Sequence, residues 1–257
     1  MLNLQDTQRY GGKAAILMYI QERLPDMLIP PYVIKEYGQK IQTVIGDFNS
    51  LKKPVIVRSS SPYEYGDFEG VFESIKGVYD TKSLEAAVAA VERSATSERA
   101  KEYSRQNGFE INEVMHTIIQ EQHDSKYTGV MMRHPNNPDL IFISYYSGEG
   151  VGRVHNNFLF NEATGSAKRN SVFSSRMLQD DAKFLFDNYK QIESLSDIAE
   201  GQVLCVEFGF EPKKFALYQA RPFKKIQTAN FYLPNMGHGQ LISTDLCFGI
   251  TAPEGLV

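Results

Sequence analysis

At 257 residues and 42% hydrophobic content, the chain can bury a substantial core without disulfide staples, as one large domain or as two lobes. A net charge of -4, with lysines and arginines scattered along the chain, gives no global basic field, so a nucleic-acid partner is not expected. Cys205 and Cys247 have no CxxC or Cys/His spacing, and no apolar run approaches the ~18 residues of a membrane span; zinc and membrane insertion are therefore not expected, and a reducing, cytoplasmic compartment is.

Gly11 and Gly12 break the chain before residues 13–24, where Ala14, Leu17, Met18 and Leu24 recur at helical spacing. Pro25 and then Pro30-Pro31 end that helix and lead into an extended segment, because a residue before proline is pushed out of the helical region. A helix is predicted over 36–48, a buried strand over 54–58, and a loop followed by a strand over 68–79. Ser83 is read as the cap of a helix whose Leu84, Ala87, Val88 and Val91 share a side, and a second helical stretch covers 97–107. Strands follow at 116–122, 129–132 and 140–146. A helix over 179–195 presents Phe184, Leu185, Tyr189 and Ile192 on one side, and a strand pair spans 203–223. Helices alternating with short strands and closing on an antiparallel hairpin predict an α+β fold in two lobes with a hinge near 118–123.

The final hairpin can be set out by face, because side chains alternate along a strand. With Cys205 opposite Gln219, one face carries Val203, Cys205, Glu207, Leu217, Gln219 and Arg221, and the other carries Leu204, Val206, Phe208, Ala216, Tyr218 and Ala220 as core. That pairing requires an odd turn of about three or five residues near Glu211 to Lys214. Glu207 and Gln219 then offer oxygens of the kind that hold Mg²⁺ together with substrate phosphates. A solvated face with an ordinary Glu–Arg pair is the open alternative. Lys13 follows two glycines at a helix start, where free N–H groups and the helix dipole attract anions, although such a turn can also be a plain helix entrance. Arg58 ends an apolar strand and needs a partner, which is either phosphate or a buried carboxylate such as Glu64 or Glu73.

The segments YGGKAAIL, IPPYVI, VIVRSSSPYE, DFEGVFES, IIQEQ, TGVMMRHP, SGEGV and VEFGF…LYQARPF occur in this order. As an ordered set they resemble the N-terminal nucleotide-binding domain of the pyruvate phosphate dikinase and phosphoenolpyruvate synthase family, over roughly residues 10–225. The resemblance implies an ATP-grasp-like fold with ATP between two lobes, here 1–118 and 119–228, followed by a tail over 229–257. It implies that Lys13, Arg58, Gly70, Ser74 and Arg221 serve the phosphates, with Arg58 and Arg221 acting on the transferred group. It also implies that Gln120, Glu121 and Gln122 lie at the adenine hinge and that Glu207 and Gln219 hold Mg²⁺. Gly129 and Glu149 match further family motifs. The phosphate loop is about three residues shorter than is usual and carries Asp67 where the family has serine; TGVMMRHP is one residue short, and SGEGVG lacks a first glycine.

The five histidines include none in the family's TSH-containing acceptor motif. Residues 248–255 resemble the lead-in to the swivelling domain that carries that histidine in the family. The expectation is an Mg·ATP-dependent phosphotransferase domain that donates phosphoryl to a histidine domain, either beyond Val257 in cis or in trans. A nucleotide-binding sensor or assembly module without catalysis is the alternative, and an ATP-grasp ligase a more distant one.

Overall fold

The computed structural model describes residues 4–62, 71–107, 114–134, 137–147, 154–169, 179–195 and 202–224. The chain opens with two helices, α1 (Leu4–Tyr10) and α2 (Gly12–Arg23). Gly11 separates them at φ 81°, a left-handed conformation suited to glycine. The strand β1 (Tyr32–Lys35), a short 3₁₀ helix (Ile41–Val44), α3 (Ile45–Ser50), β2 (Val55–Ser60), β3 (Ser74–Val78), α4 (Thr81–Ser94), α5 (Glu98–Asn107) and β4 (His116–Glu121) follow. The rest comprises β5 (Tyr127–Arg133), β6 (Leu140–Ser147), β7 (Val154–Asn161), β8 (Ser166–Arg169), α6 (Gln179–Leu195), β9 (Gln202–Glu211) and β10 (Lys214–Lys224). The helix predicted over 36–48 is instead a turn at Gly38 followed by the 3₁₀ helix and α3. Asp80, rather than Ser83, is the N-cap of α4: Asp80 accepts from the Ser83 amide and the Ser83 hydroxyl reciprocates, which is a capping box.

The strands form two antiparallel sheets, a four-stranded one in the order β1-β4-β2-β3 and a six-stranded one in the order β10-β9-β5-β6-β7-β8. Residues 122–126 carry the chain from β4 to β5 and so from the first sheet to the second. One face of the first sheet, with Val55, Val57 and Ile119, packs on Leu84, Ala87, Val88 and Val91 of α4. The other face meets the second sheet, because Ile118 shares a core with Val206, Phe208 and Leu217. Ala14, Ile16, Leu17 and Ile20 of α2 belong to that second core, as do Leu185, Tyr189 and Ile192 of α6. Strand β4 is covered on both faces, so His116 to Gln120 are all buried although only Ile118 and Ile119 are apolar.

Helix α6 is fastened by charge as well as by packing. Arg133 of β5 makes two parallel bonds to Glu193, at 2.6 and 2.5 Å, and a third at 3.0 Å to Glu162. The buried Tyr189 hydroxyl donates to the Leu204 carbonyl at 3.0 Å and accepts from the Arg133 amide, so its polar end is satisfied.

The final hairpin departs from the sequence reading in a way that matters for function. Its turn has two residues, Pro212 and Lys213, with Lys213 at φ 62°, in place of the three or five predicted. The pairing set by that turn runs from Lys214↔Glu211 to Leu217↔Phe208, and then shifts to Gln219↔Glu207 and Arg221↔Cys205. Tyr218 is the extra residue of a β-bulge. Without it the turn's register would place Gln219 opposite Val206, on the core face. The bulge therefore returns Gln219 and Arg221 to the face of Glu207. It also corrects the expected faces: Leu217 lies in the core opposite Phe208, and Tyr218 does not.

Phe208 and Leu217 are fully buried. Truncating them to alanine is expected to destabilise the fold by about 3–5 and 2–5 kcal/mol respectively. Urea unfolding measures this, and a Leu217→Ala loss below about 1 kcal/mol would contradict the shifted register.

Candidate functional site

Strand β2 ends in VRSS, and its alternation sends Val57 into the α4 core while Arg58 projects toward the second sheet. There the Arg58 guanidinium donates from Nη2 to Glu207 Oε2 at 2.8 Å and from Nη1 to the Tyr218 carbonyl at 3.0 Å. Nη1 also lies 3.4 Å from Gln120 Oε1. Gln120 is buried and donates its own Nε2 to the Pro30 carbonyl at 3.2 Å, so its carboxamide is oriented and steadies the arginine. The Nε of Arg58 is buried with no hydrogen-bond partner among the described residues.

The three serines after Arg58 fix Lys13. Ser60 Oγ donates to the Tyr10 carbonyl at 2.9 Å and accepts from the Ala14 amide at 3.0 Å, bracketing the glycine turn. The Gly12 amide donates to the Ser61 carbonyl at 3.0 Å, and Lys13 Nζ donates to Ser59 Oγ at 3.1 Å. A Cβ on Gly11 would run into the Ser60 main chain, which explains glycine at that position beyond its torsion angle. One strand end thus presents Arg58 and positions the lysine. In the sequence this string of small hydroxyls after an apolar run has a composition suited to holding phosphate; in the structure all three serines are buried, and they hold the lysine turn.

Glu207 is half-buried, on the second sheet, opposite Gln219 and two pairs along from Arg221. Burial pushes its carboxyl pKa up, but attraction to Arg58, Arg221 and Lys13, together with the Arg58 hydrogen bond, outweighs this and holds it below the usual carboxylate value. Gln219 and Arg221 are both buried beside it. Among the described residues, Lys13, Arg58 and Arg221 all act on the Glu207 carboxylate, at a place that also offers the Gln219 carboxamide oxygen.

The structure thus brings together Lys13, Arg58, Gln120, Glu207, Gln219 and Arg221. Ser74 pairs with Arg58 in the register of β2 and β3 and is exposed. The Glu121 and Gln122 side chains are turned to other work, accepting from the Lys52 amide at 2.8 Å and the Gly77 amide at 3.2 Å. Their main-chain amides donate to the Pro31 and Pro54 carbonyls. Gly129 lies on β5 against the main chain of Ser144 and Tyr145, a close approach that admits no Cβ. Gly70 and Glu149 lie outside the described residues.

A separate groove of about 470 Å³ is lined by Met18, Gln21, Glu22, Tyr32 and Ile34, none of them from the charged cluster. Burial pushes the Tyr32 phenol up to about 12, and its hydroxyl donates to Gln21 at 2.8 Å. Among the described residues no three His, Cys, Asp or Glu side chains gather as a metal site, so a cation at Glu207 would draw on Gln219 and on the ligand's own oxygens. No described helix is long and apolar enough to cross a membrane.

A family profile described as pyruvate phosphate dikinase, AMP/ATP-binding domain, matches residues 14–202. No curated protein has a significant sequence match to the chain. Among solved structures, D-alanine-D-alanine ligase from Helicobacter pylori is similar at 12% identity and a TM-score of 0.47, covering 83% of this chain and 54% of its own. L-amino acid ligase from Bacillus licheniformis is similar at 11% identity and a TM-score of 0.48, covering 85% and 43%. N5-carboxyaminoimidazole synthase from Aspergillus clavatus, in complex with ADP and 5-aminoimidazole ribonucleotide, is similar at 8% identity and a TM-score of 0.48, covering 84% and 45%. The chain spans about half the length of these structures.

The electrostatics of Glu207 yield a pH prediction. Its folded pKa lies below the ordinary value of 4.5, so the stability it confers is fully present above that value and is lost as pH falls through the lower folded value. Glu207→Gln is expected to cost roughly 1–2 kcal/mol near neutral pH, the worth of a partly solvated charged hydrogen bond. The gap should shrink as pH falls from neutrality through the lower folded value. Urea titrations of both proteins across that range measure it, and a gap independent of pH would contradict the assignment.

Proposed function

The chain belongs to the family of pyruvate phosphate dikinase AMP/ATP-binding domains, and from that premise we propose that it binds Mg·ATP between its two sheets and donates a phosphoryl group to a histidine on another domain or partner. The observation that carries this reading is the convergence of Lys13, Arg58 and Arg221 on Glu207, with Gln219 opposite. The chemistry asked of such a site is positioning and charge stabilisation rather than covalent catalysis.

In this reading adenine lies at the hinge formed by the end of β4 (Gln120 and Glu121) and the linker 122–126, which begins with Gln122, and the phosphates extend toward β2. Lys13 and Arg58 neutralise phosphate oxygens, with Arg58 moving from Glu207 to the nucleotide as a bidentate donor. Gly70 and Ser74 belong to the loop that covers the phosphates. Glu207 and Gln219 would hold Mg²⁺, a carboxylate and a carboxamide offering the oxygens that such a hard ion prefers. When bound, the ion would offset the negative charge that develops on the phosphate. Arg221 supports the transferred group as the bond from phosphorus to the leaving nucleotide oxygen breaks and a bond to an imidazole nitrogen forms. The ATP-grasp arrangement, a cytoplasmic location and a histidine-bearing partner domain are parts of the same proposal.

One observation favours a second reading. Asp67 stands where the family has serine, in a loop shorter than is usual, and a negative charge beside phosphates weakens catalysis. A nucleotide-responsive module without phosphoryl transfer fits that feature.

Mg·ATP at a hundredfold excess over its Kd is expected to stabilise the chain by about 2.7 kcal/mol, seen as a rise in Tm. EDTA, Glu207→Ala or Gln219→Ala should remove the metal-dependent part of that rise. No shift at millimolar nucleotide would overturn the proposal. With labelled ATP the chain alone should show at most slow hydrolysis, and acid-labile phosphate should form when a family histidine domain is added. Binding without transfer to any such domain would replace the transferase reading with the sensor reading.

A further inference from the structure

Tyr218, the extra residue of the β10 bulge, grips two separate parts of the molecule. Its phenol donates to the His123 carbonyl at 3.0 Å and lies 2.9 Å from Ser125 Oγ, both in the linker that joins the sheets. Its main-chain carbonyl accepts from Arg58 Nη1 at 3.0 Å. A bulge residue is unpaired with the neighbouring strand, which frees that carbonyl for the arginine.

The surroundings are cut to fit the phenol. Gly209 of β9 has no side chain in its way, and a Cβ there would run into both the Tyr218 hydroxyl and Ser125 Oγ. The His123 ring stands edge-on to the Tyr218 ring, with centroids 6.3 Å apart. Burial, the largest influence, raises the phenol's pKa, so it stays a protonated donor through the neutral range.

We infer that Tyr218 is a positioning residue that ties the placement of linker 122–126 to the placement of Arg58, so that a ligand touching the linker and a ligand touching the arginine are bound cooperatively. The inference rests on the proposed reading in which the base lies at the linker and the phosphates at Arg58. Tyr218 then makes recognition of the base strengthen the grip on phosphate. None of its atoms needs to touch the nucleotide.

The test compares Mg·ATP with Mg·tripolyphosphate, which keeps the phosphates and lacks the base, by calorimetric titration of the full chain. Tyr218→Phe retains the ring, the bulge and the main-chain carbonyl, and removes only the grip on the linker. It is expected to weaken ATP about three- to tenfold, the worth of a hydrogen bond, while leaving tripolyphosphate within about twofold. Gly209→Ala and Ser125→Ala, which disturb the same grip from the other side, should lower the ratio of the two affinities in the same direction; they decide the matter if Tyr218→Phe does not fold. Wild-type binding of both ligands with an unchanged ratio in the variants, or an equal loss of both ligands as a merely structural role would give, overturns the coupling alone. Failure of the wild type to bind either ligand overturns the nucleotide reading and this inference with it.

Discussion

The ion pair between Arg58 and Glu207 joins strand β2 of the first sheet to strand β9 of the second, and the arrangement around it follows from keeping that pair solvated by protein. Two charges taken largely out of water cost less the more of their remaining donors and acceptors are met. Gln120 and the Tyr218 carbonyl serve the arginine, and Lys13 and Arg221 add to the field that keeps Glu207 ionised. The pair is a poor source of net stability for its burial. In the proposed function a polyanion would take over the arginine and leave the carboxylate to a cation.

The same strand end serves two purposes. Arg58 leaves β2 toward the second sheet, while the next three residues hold the turn before α2 through buried hydroxyls and main-chain groups. Because α2 also packs in the core of the second sheet, Lys13 is fixed by contacts to both sheets. A shift between the sheets would therefore disturb the lysine and the arginine alike, in keeping with the positioning role proposed for the site.

Much of this was legible in the sequence where a strong period or a charged residue in an apolar run left few options. The α6 helix was predicted at its observed bounds from the spacing of Phe184, Leu185, Tyr189 and Ile192, and Arg58 was marked by its position at the end of VIV. The face shared by Glu207, Gln219 and Arg221 was anticipated, yet by a route the structure replaces: an even turn and a bulge give the parity assigned to an odd turn. A bulge carries no composition signal in LYQ, since its cause is the distant pull of Arg58 and the linker on Tyr218. The partner of Arg58 was sought among nearby carboxylates and lies 149 positions away, a separation that local pattern does not encode. Strands β7 and β8 and helix α1 went unpredicted, being short or rich in polar residues such as Asn156, Asn157 and Asn161.

In the proposed function the Arg58–Glu207 pair marks the place where metal and phosphates enter. A crystal structure of the full chain with Mn²⁺ and a non-hydrolysable ATP analogue, with anomalous scattering to locate the ion, puts this to the test. Mn²⁺ is expected at about 2.0–2.3 Å from oxygens of both Glu207 and Gln219, with Lys13 and Arg58 on the phosphates. An ordered nucleotide bound elsewhere, with the Arg58–Glu207 pair intact, would contradict it.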